Sequence, residues 1–203
     1  MGTGNDSNAH DAEQSSAVLE RLNRLESRVD ELEDLVQIYQ LLSLYGPSVD
    51  SDSRPEASQL WSEEGEYDVD PRGVWATGAA PGAGVTVWQG REQIEAILGG
   101  PSHQGRIAQG SAHQVSFPHV SIDGDTAVAT CYQTLIMHGE SGFRIDRQTA
   151  NRWELVKTVE GWRVARRTNR LLDGSPEAGE LLRRGVAESG ANRGSGRDMT
   201  GPG

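Results

Sequence analysis

Residues 126–172 read TAVATCYQTLIMHGESGFRIDRQTANRWELVKTVEGWRVARRTNRLL. Three long segments, 126–138, 143–158 and 162–172, are rich in β-branched and aromatic residues alternating with polar ones, the period of a half-buried strand. They are separated only by Gly139–Glu140–Ser141–Gly142 and by Val159–Glu160–Gly161. Connections this short cannot carry a crossover helix, so the three segments must pair as an antiparallel meander. Upstream, HQVSFPHVSI (113–122) enters the same meander through the turn Asp123–Gly124–Asp125.

Towards the N-terminus the pattern changes from strand to helix. VTVWQG (85–90) reads as a strand, and REQIEAIL (91–98) as a short helix with Ile94, Ile97 and Leu98 inward. Residues 71–84 carry enough glycine and proline to mark a long loop, EYDVD (66–70) reads as a strand, and a second short helix is expected over about 55–62. A longer apolar helix covers Gln37–Tyr45 and is expected to end at Gly46–Pro47. Helices first and a long meander afterwards give an α+β fold: a curved antiparallel sheet with helices packed on its concave face and a hollow between them.

Before this domain, Val18, Leu22, Leu25, Val29, Leu32, Val36 and Tyr39 recur at alternating intervals of four and three. That is the a/d seam of a heptad repeat, and it predicts a coiled-coil-like helical extension over 17–36. Residues 1–16 have almost nothing to bury and are expected to be disordered. The domain proper spans 37–172. Residues 173–203 are glycine-rich and are expected to be mostly disordered after one helical turn near 177–184.

The 203 residues include 30 acidic and 19 basic side chains, for a net charge of −11. Nine of the acids and only three arginines lie in residues 1–35, so much of that charge belongs to the extension. A nucleic-acid partner needs clustered Lys and Arg and is not expected. The single cysteine, Cys131, rules out an intrachain disulfide and any CxxC site. No apolar run reaches the length that spans a bilayer, and the first fifteen residues lack a secretory pattern, so a cytoplasmic location is expected.

The runs LYGPSVDSDSRPEASQLWSEEGEYDV (44–69), VWQGREQIEAIL (87–98), AHQVSFPHVSIDGDTAVATCY (112–132) and WELVKTVEGWRVARR (153–167) resemble a SnoaL-like domain of the cone-shaped superfamily named after nuclear transport factor 2. Within that superfamily the pattern is closest to scytalone dehydratase and hexachlorocyclohexane dehydrochlorinase. The resemblance implies a catalytic pair, Asp50 just after the first helix and His113 at the start of the first long strand. It also implies a second histidine, His138, and matches Thr149–Ala150–Asn151 to a Ser-Ala-Asn on the next strand. The tyrosine immediately before the Asp in the dehydratase pattern is replaced here by Val49; Tyr45 and Tyr67 are its possible substitutes.

What the resemblance implies is a cofactor-independent lyase of dehydratase type, with an isomerase, a cyclase or a non-catalytic binding or assembly module as alternatives. A histidine in an apolar hollow is a weak base unless a carboxylate on its other ring nitrogen fixes the tautomer and stabilises the imidazolium. His113 would take a proton next to a carbonyl with Asp50 behind it. Tyr45 or Asn151 would hold the developing enolate, and His138 would protonate the leaving hydroxyl. Thr149, Asn151, Tyr67, Trp61, Tyr132 and Trp153 are expected to line the pocket around a small hydrophobic substrate, polycyclic or steroid-like. His113, His119 and His138 lack metal-ligand spacing, and no nucleotide-binding motif is present, so neither metal nor organic cofactor is expected. A homo-oligomer, dimer or trimer, is expected to cover the heptad seam.

Overall fold

The computed structural model of the chain describes residues 5–70, 72 and 87–191. The chain forms two compact units, residues 1–37 and 38–203. A first helix, α1 (Asn5–Asp50), supplies the regular structure described in the first unit and the opening helix of the second. It is followed by α2 (Arg54–Gln59), β1 (Trp61–Asp68), β2 (Val87–Gln89), α3 (Arg91–Leu98) and α4 (Pro101–Gln109). The meander comprises β3 (Ser111–Val115), β4 (His119–Asp123), β5 (Thr126–Gly139), β6 (Gly142–Thr158) and β7 (Gly161–Leu171), and α5 (Pro176–Ala191) closes the described chain.

The strands form one curved, open sheet in the order β2-β1-β7-β6-β5-β3, with β4 also paired to β5. All neighbours are antiparallel except β1 and β7, which run parallel. The mixed α+β architecture therefore stands as the sequence implies, with one parallel pairing at the join between the N-terminal elements and the meander. In α1, Ile38, Leu42, Tyr45 and Val49 recur at helical spacing and are buried together with Trp61, Trp153 and Leu155 of the sheet.

Two β-bulges set which side chains face the core. Leu135 pairs with Arg147 but Ile136 pairs with Ile145, so Asp146 is the extra residue on β6. Between β6 and β7 the register shifts again, and the buried positions of β7 change from Arg167 and Asn169 to Trp162 and Val164. Simple alternation does not survive either point.

Several expectations are corrected. Residues 5–16 are helical rather than disordered, and alanine, glutamate and glutamine in this stretch are good helix formers by intrinsic propensity. The helix passes through Gly46–Pro47 and ends at Asp50, because a proline removes one backbone donor without forcing a stop so near a C-terminus. The run 113–122 is not one strand but two, broken at Ser116–Pro118. The tail beyond 173 holds the 16-residue helix α5, whose Ala178 and Leu181 pack on Ala150 of β6. Most of the loop expected over 71–84 lies outside the described residues, as does the chain beyond 191.

Candidate active site

Asp50 is the last residue of α1 and His113 lies in the middle of β3. Gly46 lets the two meet: a Cβ there would stand 2.2 Å from the His113 carbonyl oxygen. Only a glycine allows the helix to approach the strand this closely. One turn later, Asp50 is held by three donors. The His113 backbone N–H donates to Oδ2 at 2.6 Å, the Ser111 hydroxyl donates to Oδ1 at 2.8 Å, and His113 Nδ1 lies 2.7 Å from the same Oδ1.

This geometry fixes the protonation pattern. Burial pushes the Asp50 carboxyl up, but the hydrogen bonds from His113 and Ser111 and the imidazole's charge more than reverse it, holding Asp50 below the usual carboxylate range. Burial also pushes the His113 imidazole below its ordinary value, and the pairing with Asp50 only partly restores it. At neutral pH the pair is a carboxylate and a neutral imidazole. Because an ionised carboxylate only accepts, Nδ1 carries the hydrogen and Nε2 is left with its lone pair on the opposite edge of the ring.

His113 lines a cavity of about 40 Å³ with Tyr67, Gln133, Leu135, Arg147, Thr149 and Asn169. The wall is polar and carries a cation, not the apolar surface expected. Arg106 of α4 lies within electrostatic range of Arg147, Tyr67 and Tyr45. Behind the wall, Arg167 is completely buried, its guanidinium 4.3 Å from the centre of the Tyr45 ring, 4.7 Å from that of Tyr67 and 4.2 Å from that of Trp153. It donates to Asn151 Oδ1 from Nε at 3.1 Å and Nη2 at 2.9 Å, and to Gln133 Oε1. Burial opposes the charge of Arg167, but the neighbouring Tyr45 and Tyr67 offset that, and the group stays protonated.

The site residues expected from the sequence fall into three groups. Asp50 and His113 meet, and Thr149 and Tyr67 stand on the cavity wall with them. Tyr45, Trp61, Trp153 and Asn151 are buried behind that wall. The Tyr45 ring packs edge-on to His113 with centroids 6.3 Å apart. Burial raises its hydroxyl's pKa, with Arg167 only partly opposing, so it is a neutral phenol at the back of the dyad. The Asn151 amide is committed, since its Nδ2 donates to Thr149 Oγ1 at 2.8 Å and to the Thr149 carbonyl at 3.3 Å, and its oxygen accepts from Arg167. It has no capacity left for an enolate.

His138 and Tyr132 form the third group and are corrected outright. The buried positions of β5 are the odd-numbered residues from Ala127 to Met137, so both lie on the opposite face and are exposed. The His138 ring packs against Phe143 at 5.0 Å instead of reaching the dyad.

The expected site lacked three contributors. Gln133 pairs across the strands with Thr149 and would have followed from choosing the odd-numbered face of β5. Arg147 lies two residues before Thr149, and alternation alone points it the same way. His103 sits on α4, a helix announced only by a proline at its start. Its ring centre is 5.7 Å from that of His113, and its Nε2 donates to the Val49 carbonyl at 2.9 Å. Among the described residues no three His, Cys, Asp or Glu side chains converge as a metal-ligand set.

A model of the SnoaL-like domain matches residues 30–168. The chain belongs to the SnoaL-like domain family. Among solved structures, this SnoaL-like domain resembles an NTF2-like protein with a cystatin-like fold from Novosphingobium aromaticivorans: 37% identity, 79% of this chain and 96% of that chain covered, TM-score 0.71. It shares its fold with Aln2 from a Streptomyces species, at 19% identity, 75% and 95% coverage and a TM-score of 0.55. The same holds for a protein from Catenulispora acidiphila solved in complex with S-DNPA, at 15% identity, 75% and 96% coverage and a TM-score of 0.54. No curated protein matches the chain. No described helix is long and apolar enough to cross a membrane.

A larger cleft of about 500 Å³ lies between β1, β6, β7 and α5, lined in part by Arg166, Arg170, Arg152, Asp68 and Glu154. Arg166 and Arg170 both pair with Asp68, and Arg152 pairs with Glu154 and Glu188. Its lining residues on β7, Arg166, Thr168 and Arg170, alternate with the buried Arg167 and Asn169, which places the cleft on the face of the sheet opposite the dyad.

Proposed function

We propose that this SnoaL-like domain is a cofactor-independent enzyme that removes a proton from carbon next to a carbonyl, most simply a dehydratase-type lyase. The single observation that carries this reading is the 2.7 Å contact of His113 Nδ1 with Asp50 Oδ1 at the wall of the cavity, which leaves Nε2 as the ring's accepting nitrogen. In the reaction Nε2 takes the carbon-bound proton, and the electron pair moves into an enolate on the carbonyl oxygen. Asp50 stabilises the imidazolium that forms. Arg147, with Tyr67 or Gln133 beside it, supplies positive charge and donors to the enolate oxygen. Collapse of the enolate expels the β-hydroxyl, which leaves as water with the proton returned by His113. Without a leaving group the same enolate is reprotonated, and the outcome is isomerisation.

The wall changes the expected substrate. Polar groups and Arg147 favour a small oxygen-rich molecule over a steroid-like one, and about 40 Å³ holds only a few waters. That small volume also supports a second reading, a non-catalytic module that binds a small anionic ligand. Solvent-deuterium exchange followed by proton NMR separates the two. Across a panel of small β-hydroxy ketones and 1,3-diketones, the wild type should accelerate exchange next to the carbonyl, His113→Ala should not, and His138→Ala should match wild type. Exchange that persists in His113→Ala contradicts the enzyme reading; binding without any exchange supports the module.

A further inference from the structure

The heptad seam of the first unit is uncovered. Val18, Leu22, Leu25, Val29, Leu32 and Val36 are each between 46% and 59% exposed along one stripe of α1. Apolar side chains repeated this regularly at 3.5-residue spacing suit a partner helix with the same repeat. The intervals assign Leu22, Val29 and Val36 to position a and Val18, Leu25 and Leu32 to position d. β-Branched residues at two of three a positions, with leucine at two of three d positions, favour two parallel strands over three or four.

The flanking charges select the orientation. Position g holds Arg21, Arg28 and Leu35, and position e holds Leu19, Glu26 and Glu33, so every charge at g is positive and every charge at e is negative. In a parallel, in-register pair, each g residue faces the e residue five positions later on the other helix. Arg21 then meets the second copy's Glu26, Arg28 meets its Glu33, and two-fold symmetry makes four such contacts. In an antiparallel pair g faces g and e faces e, which places arginine against arginine and glutamate against glutamate. The same charges that favour one arrangement oppose the other.

We infer that residues 18–36 form a parallel, in-register, two-stranded coiled coil with a second copy of this chain. The occupant of the seam is the chain itself, and the stoichiometry is two.

Sedimentation of the full-length protein at micromolar concentration tests this. The wild type should be a dimer. The double variant R21E/R28E should dimerise about tenfold more weakly or worse, since it turns all four cross-helix attractions into repulsions. E26R/E33R should behave in the same way, and an equimolar mixture of the two variants should restore a heterodimer. A monomeric wild type, a trimer, or a dimer indifferent to these charges would overturn the inference. Orientation is read separately by oxidation. Val18→Cys should cross-link to itself, whereas cross-linking found only between Val18→Cys and Val36→Cys chains would show the antiparallel arrangement and contradict the proposal. Because these substitutions lie outside the residues assigned to proton abstraction, the result stands or falls independently of the enzymatic reading.

Discussion

Two carboxylates, Asp50 and Asp70, occupy similar surroundings and face different partners. Asp70 accepts hydrogen bonds from the Leu171 backbone N–H at 2.8 Å, from the Arg72 backbone N–H at 2.8 Å, and from the Arg72 guanidinium at 2.9 and 2.7 Å. Asp50 likewise gathers a backbone N–H, a side-chain hydroxyl and a side-chain nitrogen. Burial pushes both carboxyls up, and in both the donors win and hold the pKa below the ordinary range. Arg72 keeps its proton at every accessible pH, so Asp70 can only hold β1 against β7. His113 can take up and release a proton, so Asp50 can also direct chemistry.

Removing each carboxylate should separate these roles. The largest effect is expected from Asp50→Asn: proton abstraction should fall about 10³-fold, because an amide no longer enforces the Nδ1–H tautomer or stabilises the imidazolium. Exchange kinetics on the responsive ketone check it, and a loss below tenfold would make Asp50 a structural residue like Asp70. Next comes Asp70→Ala, which strands several donors around Leu171 and Arg72. It should destabilise the fold by about 2–4 kcal/mol, read by chemical denaturation, while exchange by the folded fraction stays near wild type.

A smaller effect is expected from acid. His113 has a lowered pKa in the folded chain, so the unfolded chain binds its proton first. Its contribution is complete above the unfolded histidine value of about 6.5 and is lost as pH falls towards the folded value. The carboxylates follow lower down: their stabilisation is present above the unfolded carboxylate value of about 4 and disappears as pH falls through their depressed folded values. Burial lowers the pKa of His103 in the same direction, so thermal melts between pH 7 and 5 should show a modest decline that His113→Ala reduces and that loss of both imidazoles removes. The steeper loss below pH 4 should shrink in Asp70→Ala. A wild-type melting temperature flat from pH 7 to 5 would contradict the lowered His113 value.

The meander, the α+β class and the position of the Asp50–His113 pair were legible in the sequence, though the pair needed a family pattern to bring together residues far apart in the chain. The wall of the site was less legible. On β5 both alternating sets contain apolar residues, and following His138 selected the even set when Gln133 and Leu135 of the odd set face the cavity. On β7 the bulge reverses alternation, so Arg167 inside and Arg166 outside cannot be told apart by counting. Trp153 shares a strand face with Thr149 and Asn151 and, like Trp61, was expected in the pocket, but both are fully buried in the core with Tyr45. The helix α5 was hidden by its glycines, one of which, Gly185, is needed because a Cβ there would lie 2.2 Å from Thr130 Oγ1.

Whether Asp50 keeps His113 a neutral base with its proton on Nδ1 can be read from long-range ¹H–¹⁵N correlation of the imidazole across a pH titration. A neutral Nδ1–H tautomer is expected at pH 7, with protonation only below the ordinary histidine value of about 6.5, and loss of that tautomer preference in Asp50→Asn. An imidazolium at pH 7, or a neutral ring carrying its hydrogen on Nε2, would contradict it.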